Sequence, residues 1–511
     1  MIAITFTDIN SFLKFDSFKE TLGTVITTAK SPSTQRIDFV LHNDEVVVSK
    51  GELVEIPQNN NSIIISTVQE IQKFNAYYSN IDATKDISLI SSSTDKINSL
   101  FPTDEWASTL VSLKPLGYFS EKHSRIQRIH YPVSPGSTVY RARSELVKKF
   151  LGFVDKANGI HLGTISTSET PVIVDFTKLI QKHLAILAIS GAGKSYTTSI
   201  LLEELITRDF NQGRLPVLII DPHGEYKQFE ALLDQASLAT VYSGKHLSIQ
   251  TNSLKAWQIR EYAPDMSVVQ VRELDKLLSE LRKKNDSYSF TDIIEYVSNS
   301  EITPRTKDSL LGWLDGLERS GIFGTNAYPD LTKIIKPGKI SIFDLSEFQS
   351  LKQKQIICAY IARKSFELRR NNTVAPFFLI IEEAHQFCPE NGLAISKNII
   401  ETIAREGRKF FASLCLISQR PVNLSATVLS QCNSHLIMRI RNPYDLDYIG
   451  KLSEGIDKET QRFIPDLEVG EGILVGEAVN YPVLFKVRAR KLQVKTKSES
   501  LIEELEKYDF R

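Results

Sequence analysis

The strongest constraint on this chain is a strand, a turn and a helix in immediate succession between His183 and Thr198. Residues 184–189 form an unbroken apolar run, as a buried strand requires. The run breaks at Ser190-Gly191-Ala192-Gly193, and Lys194-Ser195 then open a helical pattern that continues through Ile200, Leu201 and Leu205. A turn so placed can cradle phosphate. Gly191 and Gly193 carry no Cβ, which lets backbone N–H groups point inward. The helix N-terminus adds the positive end of its dipole. Lys194 would neutralise the β- and γ-phosphates, and the Ser195 hydroxyl would ligate Mg²⁺. Ser190 through Tyr196 is therefore the expected nucleotide site, with ATP and Mg²⁺ as its ligands. Ala188 stands where G-x-x-x-x-G-K-[ST] asks for glycine. The competing reading, a glycine-rich turn with an incidental lysine, does not account for the order of strand, turn, Gly-Lys-Ser and helix.

Length and charge narrow the rest. At 511 residues the chain exceeds one ordinary core, so two or three domains are expected. Lys+Arg and Asp+Glu both total 61, so any contact with a polyanion must be local, such as basic residues lining a channel. The four cysteines (Cys358, Cys388, Cys415, Cys432) lie in apolar segments without C-x-x-C spacing, which suggests reduced core thiols in a cytoplasmic protein. The nine histidines have no zinc spacing. No apolar run reaches membrane-spanning length and no signal-type run opens the chain, so no membrane is expected.

Taken in order, segments 2–6, 23–28, 38–41, 45–48, 53–56 and 63–68 are β-rich and separated by turn residues, which predicts a small barrel or sandwich over 1–75. The signal weakens over 77–122, with loops at Ser91-Ser92-Ser93-Thr94 and Pro102-Thr103-Asp104, and 144–153 reads as a short amphipathic helix. A connecting region of mixed structure is expected over 76–160. An α/β core should occupy 161–250 and 336–490, interrupted over 251–335 by helices. Leu274, Leu277, Leu278 and Leu281 recur there at helical spacing, as do Leu310, Leu311, Leu314 and Leu317. Arg282-Lys283-Lys284 reads as a solvated helix end, and secondarily as a nucleic-acid contact. Residues 491–511 form a tail, acidic over 499–506.

A second apolar strand, 377–381, runs into Glu382-Glu383-Ala384-His385. Charge at the end of a buried strand is costly unless paired or metal-bound. In a P-loop ATPase the first carboxylate organises the Mg²⁺ shell and the second polarises the attacking water; the alternative is an acidic helix cap. Asp221, after the apolar run 215–220, either seeds a β-turn with Pro222 and Gly224 or presents its carboxylate to the site. Gln419 ends the strand 411–417, where an amide can sense the γ-phosphate or orient water, or merely terminate the strand. Arg405 and Arg408 flank Gly407, expected to end a helix and turn the chain outward. Cations are favourable at such an end in any case; the other reading is an arginine finger reaching a neighbouring subunit's ATP.

Four stretches together carry a family resemblance: Lys182-His183-Leu184-Ala185-Ile186-Leu187-Ala188, Asp221 through Tyr226, Ile381 through His385, and Ile403 through Phe410. They resemble the HerA family, the archaeal and bacterial branch of the FtsK–HerA superfamily of ring-forming DNA translocases. Ala188 and Glu382 are usual in that family. The resemblance extends to the N-terminal strands, the helical insertion and a closing hairpin over 472–487, leaving 77–122 and 499–506 without a counterpart. It implies a RecA-like P-loop ATPase core behind a small β-barrel, assembled as a homohexamer that threads double-stranded DNA. It further implies a partner: a NurA-type nuclease in DNA end processing or, in bacterial relatives, an effector of anti-phage defence. The family commonly has Arg where this chain has Lys182 at its nucleotide site, and Lys cannot make the planar bidentate contact. Two rival readings are an ATP-dependent scaffold that gates a partner enzyme and a conjugation- or secretion-type pump, the latter disfavoured by the lack of an anchor.

Overall fold

Two units emerge from the two sequence patterns. The computed structural model describes residues 20–43, 46–58, 62–75, 107–120, 123–227, 229, 238–285, 287–453 and 455–491. One unit runs to Phe153 and includes Thr164–Thr170; the other takes Val154–Gly163 and the chain from Pro171 onward. The expected strand at 2–6 and the acidic stretch 499–506 lie outside the described residues.

The first unit is a closed barrel. Its strands are β1 (Thr21–Val25), β2 (Ile37–Leu41), β3 (Leu53–Gln58), β4 (Ser62–Asn75), β5 (Ala107–Ser120), β6 (His123–Gln127) and β7 (Thr138–Arg141). Their order is β2-β1-β7-β3-β4-β5-β6, and a further β2–β5 pairing closes six of them into a ring with β6 attached to β5. Closure leaves no free edge within the six-stranded ring. Leu22, Phe39, Val54, Ile56, Val111 and Val139 fill the interior, all fully buried. Gly23 sits where β1 shifts register against β7, and a Cβ there would collide with the Val40 carbonyl.

The barrel does not end at residue 75: residues 107–120, in the stretch where the sequence signal weakens, form β5, while the loops expected at 91–94 and 102–104 lie outside the described residues. Pro115 and Gly117 interrupt β5 and mimic loop punctuation, but they fall at a register shift, opposite Ser66 and Ile65, where a bulge tolerates them. The short helix α1 (Ser144–Leu151) follows, as the periodicity expects.

The second unit is built on one sheet. Its strands are β8 (Gly159–Ile165), β9 (Pro171–Asp175), β10 (Leu184–Leu187), β11 (Val217–Asp221), β12 (Ala239–Ser243), β15 (Ile340–Asp344), β16 (Phe377–Ile381), β17 (Ala412–Ser418), β18 (Ser434–Ile437), β19 (Glu471–Gly476) and β20 (Val483–Val487), with the two-residue pair β13 (Ile249–Gln250) and β14 (Phe323–Gly324) apart from it. The order is β12-β15-β11-β16-β17-β10-β18-β19-β20-β8-β9. From β12 to β18 all pairs are parallel, while β18–β19 and β19–β20 are antiparallel. Every residue of β10, β11, β15, β16 and β17 is buried, which explains their continuous apolar sequences.

Helix α2 (Lys194–Ile206) follows β10. Between β13 and β14 lie α3 (Ala256–Tyr262), α4 (Val268–Lys284), α5 (Phe290–Ser298) and α6 (Pro304–Glu318). Ser267 and Ser289 cap α4 and α5 through the Gln270 and Asp292 N–H groups, and Pro304 opens α6. Arg282 is not simply a solvated helix end: its guanidinium donates to the Leu254 carbonyl and, at 3.2 Å, to the Tyr288 hydroxyl. The four cysteines are buried and unpaired. Among the described residues no helix is long and apolar enough to cross a membrane.

Candidate active site

Parallel strands place their following loops on one edge of the sheet, and β11, β16, β17 and β10 are consecutive neighbours. The loop after β10 is pinned at its base: Ala188 N–H donates to the Ser418 carbonyl (3.2 Å) and Ile189 N–H to the Arg439 carbonyl (3.0 Å). Gly191 and Gly193 have φ of 76° and 103°, open to glycine and strained for other residues. Gly193 caps α2, whose first N–H groups have no partner within the helix.

The Lys194 ammonium points back from that helix onto the end of β16. It lies 2.5 Å from Glu382 Oε1 and 2.7 Å from Glu383 Oε1, with hydrogen-bond geometry only to the second. All three side chains are buried. The Gln419 amide donates to the same Glu383 oxygen. His385 Nδ1 stands 3.3 Å from Glu383 Oε2 and 3.1 Å from Ser418 Oγ. Glu382 Oε2 accepts from the Tyr226 hydroxyl at 3.0 Å. Glu383 itself is left-handed, φ 49° and ψ 45°, which costs a non-glycine residue about 1–2 kcal/mol. That strain turns its carboxylate toward the loop lysine instead of along the strand.

Burial pushes the Glu382 carboxyl up to about 7 even though Lys194 opposes the shift. Burial alone would depress Lys194, but Glu382 and Glu383 outweigh it and hold the ammonium above the usual lysine range. Burial lowers His385, against the pull of Glu383. One ammonium thus serves two buried carboxylates, a surplus of negative charge beside an anion cradle.

Asp221 does not reach this centre. It is fully buried, and its carboxylate accepts the His223, Gly224 and Tyr226 N–H groups at 3.2, 2.8 and 2.9 Å. The turn reading holds, and the turn delivers two residues that sequence reasoning quoted without assigning: Glu225, whose carboxylate accepts from Ser195 Oγ, and Tyr226. Their place within Asp221-Pro-His-Gly-Glu-Tyr was the signal available.

Lys182, expected at the nucleotide site, and Arg405 and Arg408, expected at a helix end or as a finger to a neighbouring subunit, lie on the opposite edge of the sheet. Lys182 precedes β10 and pairs with Glu477. Arg405 lies in the last turn of α7 (Lys397–Glu406), 3.8 Å from Glu401, and Arg408 in the turn before β17. Strands of four to seven residues separate them from the loop by roughly 13–23 Å. Gly407 does not end the helix in a left-handed cap; its φ is −57°, and the left-handed residue is Phe411. Glycine is needed at 407 because a Cβ would collide with the Ala412 carbonyl.

Among the described residues no group of three or more His, Cys, Asp or Glu forms a metal cage. The donor set instead fits a cation that arrives with phosphate, which needs only one or two protein oxygens. Ser195 Oγ beside Glu225, and the Glu382 oxygen that accepts no hydrogen bond, are of that kind.

Comparison with known proteins agrees with this layout. Residues 160–365 match the family described as "Helicase HerA, central domain". The "Probable helicase MJ1565" of Methanocaldococcus jannaschii is 30% identical over 411 residues, covering 74% of this chain and 76% of that protein. The chain belongs to the HerA helicase family. The DNA double-strand break repair helicase HerA of Pyrococcus furiosus is 26% identical over 505 residues, covering 87% of this chain and 88% of the relative. VirB4 of Thermoanaerobacter pseudethanolicus superposes with a TM-score of 0.52 at 17% identity, over 66% of this chain and 99% of that structure. That likeness concerns the fold, a mixed α/β P-loop ATPase. For a HerA helicase the Glu382–Glu383–Lys194 group is the natural place to seek ATP chemistry.

Proposed function

We propose that this chain is an ATP hydrolase that drives double-stranded DNA through a homohexameric ring. The observation that carries the reading is the shared ammonium: Lys194 held by Glu382 and Glu383, with Gln419 on the same Glu383 oxygen. Bound ATP and Mg²⁺ supply the reactive phosphoryl group and its charge neutralisation. Lys194 exchanges its carboxylate partners for phosphate oxygens, which frees both glutamates. Glu383, already turned toward the loop, accepts the proton of the attacking water. The Gln419 amide orients that water, and Tyr226 steadies Glu382, which with the Ser195 hydroxyl would hold the cation.

Lys182, Arg405 and Arg408 support the ring half of the reading, because they stand on the edge away from their own phosphate loop. A guanidinium from a neighbouring subunit suits the spreading charge of phosphoryl transfer. The names of the relatives, DNA double-strand break repair helicases, support a role in DNA repair; a NurA-type nuclease or a defence effector as partner, and a place in the cytoplasm, complete the proposal.

The test is mixing. Inactive Lys194→Ala protein and an inactive Arg405→Ala, Arg408→Ala protein should regain DNA-stimulated turnover in mixed rings, verified by tagged co-purification. Doping wild type with each variant measures whether a ring tolerates an inactive member. No rescue together with a loss merely proportional to the inactive fraction overturns the shared site. If duplex DNA leaves turnover unchanged while nucleotide still drives assembly, the scaffold reading replaces translocation.

A further inference from the structure

The chain's last described segment returns to the helix that carries the phosphate loop. After β20, Arg488 is fixed by Glu203 and Glu204 on α2, at 2.8 and 2.7 Å, and donates to the His161 carbonyl at 3.1 Å. Lys491 pairs with Glu204 at 3.2 Å, and its N–H donates to Glu203. Arg490 lies between them. Its N–H donates to the Tyr196 hydroxyl at 2.9 Å, and its guanidinium sits over the Tyr196 ring, 4.2 Å from the centroid. Among the described residues the Arg490 guanidinium has no carboxylate partner, unlike the cations on either side. Its place is set by the strap and by the ring, and among the described residues nothing accepts from its guanidinium.

Helical geometry says what stands there. Successive residues turn by about 100° around the axis. Lys194 faces Glu382 and Glu383, Ser195 faces Glu225, and Tyr196 turns away from both toward the strap. The γ-phosphate end of a nucleotide belongs beside the catalytic carboxylates, so the nucleoside end leaves the helix terminus on the Tyr196 side. We propose that Tyr196 and Arg490 form a stacked shelf for the nucleoside of a bound purine nucleotide, which makes the segment after β20 part of the ATP site. The proposal rests on the assignment of the phosphate loop to ATP. A planar guanidinium offers one face to tyrosine and the other to a base, and a purine presents more π surface than a pyrimidine.

The strap is also joined to the loop through backbone. Gly470 N–H donates to the Ala192 carbonyl at 3.2 Å, and Val487 N–H donates to the Gly470 carbonyl at 2.8 Å. The shelf and the phosphate cradle are thus held in one frame.

Calorimetric titration of the full chain with ATP, ADP, CTP and inorganic tripolyphosphate tests the shelf. Arg490→Ala should weaken ATP and ADP by about tenfold, within a range of roughly three- to thirty-fold, and CTP less. It should leave tripolyphosphate, which meets only the cradle, unchanged. Arg490→Lys keeps the charge and loses the flat face, so it should weaken ATP as well; an unshifted melting temperature establishes that both variants are folded. Unchanged ATP affinity in both variants overturns the shelf, as does an equal loss for ATP and tripolyphosphate. The underlying assignment fails in a different way: Lys194→Ala would then leave ATP and tripolyphosphate binding as in wild type.

Discussion

Both units bury carboxylates, and they answer the cost differently. In the barrel each buried acid has its own guanidinium: Glu55 accepts from Arg143 at 2.9 Å, Asp38 from Arg36 at 2.9 Å and from the Ser112 and Thr28 hydroxyls at 2.8 Å, and Glu52 from Arg141. A guanidinium stays charged at any working pH and fixes its partner in a planar fork. The ATPase unit instead gives two acids a single ammonium on a long, flexible stem. Matched pairs hold a fold in place; an unmatched set leaves capacity for a cation and phosphate to enter. Asp221, buried without a cation, is satisfied by three N–H groups of its own turn; Glu382 and Glu383 lack such a set and share one ammonium, and that separates the reactive centre from the structural ones.

The largest expected effect breaks the unmatched set on the reactive side. Glu383→Gln should keep ATP binding and lower turnover by about 10²–10⁴-fold, read as phosphate release beside nucleotide titration. Because it removes one of two crowded carboxylates, its melting temperature should not fall. Full turnover would remove the base assignment.

Breaking a matched pair should do the reverse. Arg143→Ala leaves Glu55 buried alone and should destabilise the barrel by about 3–5 kcal/mol, while Arg143→Met with Glu55→Leu restores most of that. Calorimetry would resolve the barrel's transition, and nucleotide affinity should not change in either variant.

A smaller effect reads Glu382 through pH. Its carboxyl is raised from 4.5 to about 7, so the folded chain holds that proton more tightly than the unfolded one. The stability this contributes is complete below about 4.5 and lost as pH rises through about 7, at most about 3 kcal/mol. Melting temperatures across that window should fall in wild type and flatten in Glu382→Gln. An identical slope in both would show that another group titrates.

The smallest effect is on stability at the far edge. Arg405 is half-exposed and meets Glu401 one helical turn away, so Arg405→Ala should cost no more than about 0.5 kcal/mol. A melting temperature within a degree or two of wild type, alongside lost turnover, would mark a residue retained for chemistry.

The sequence alone announced the phosphate loop because strand, turn and helix there are contiguous, and the Glu382–Glu383 pair because charge ending an apolar strand is conspicuous. Contacts that depend on another segment's path were hidden. Tyr226 reaches Glu382 across 156 residues, and Arg490 reaches Tyr196 across 294. Asp221 was overvalued because a carboxylate at a strand end looks the same whether it faces ligand or satisfies its own turn. Lys182 was grouped with the loop by motif, while its distance from it follows from strand direction. In the barrel, Pro115 and Gly117 concealed β5 because a bulge and a loop use the same residues.

His183 ties the start of β10 to the corner of the ATPase sheet that carries Arg405 and Arg408. It is buried with φ 63°; burial lowers its pKa to about 4, so the imidazole stays neutral. Its Nδ1 accepts the Leu414 N–H at 2.9 Å and its Nε2 donates to the Ala404 carbonyl at 3.0 Å. The strand that leads to the phosphate loop and the corner that presents Arg405 and Arg408 are therefore joined at their start through one ring. In the proposed ring, a subunit that closes on its own nucleotide would change the angle at which it offers its arginines to the next. Turnover could then pass around the ring in order, with the imidazole acting as a crank.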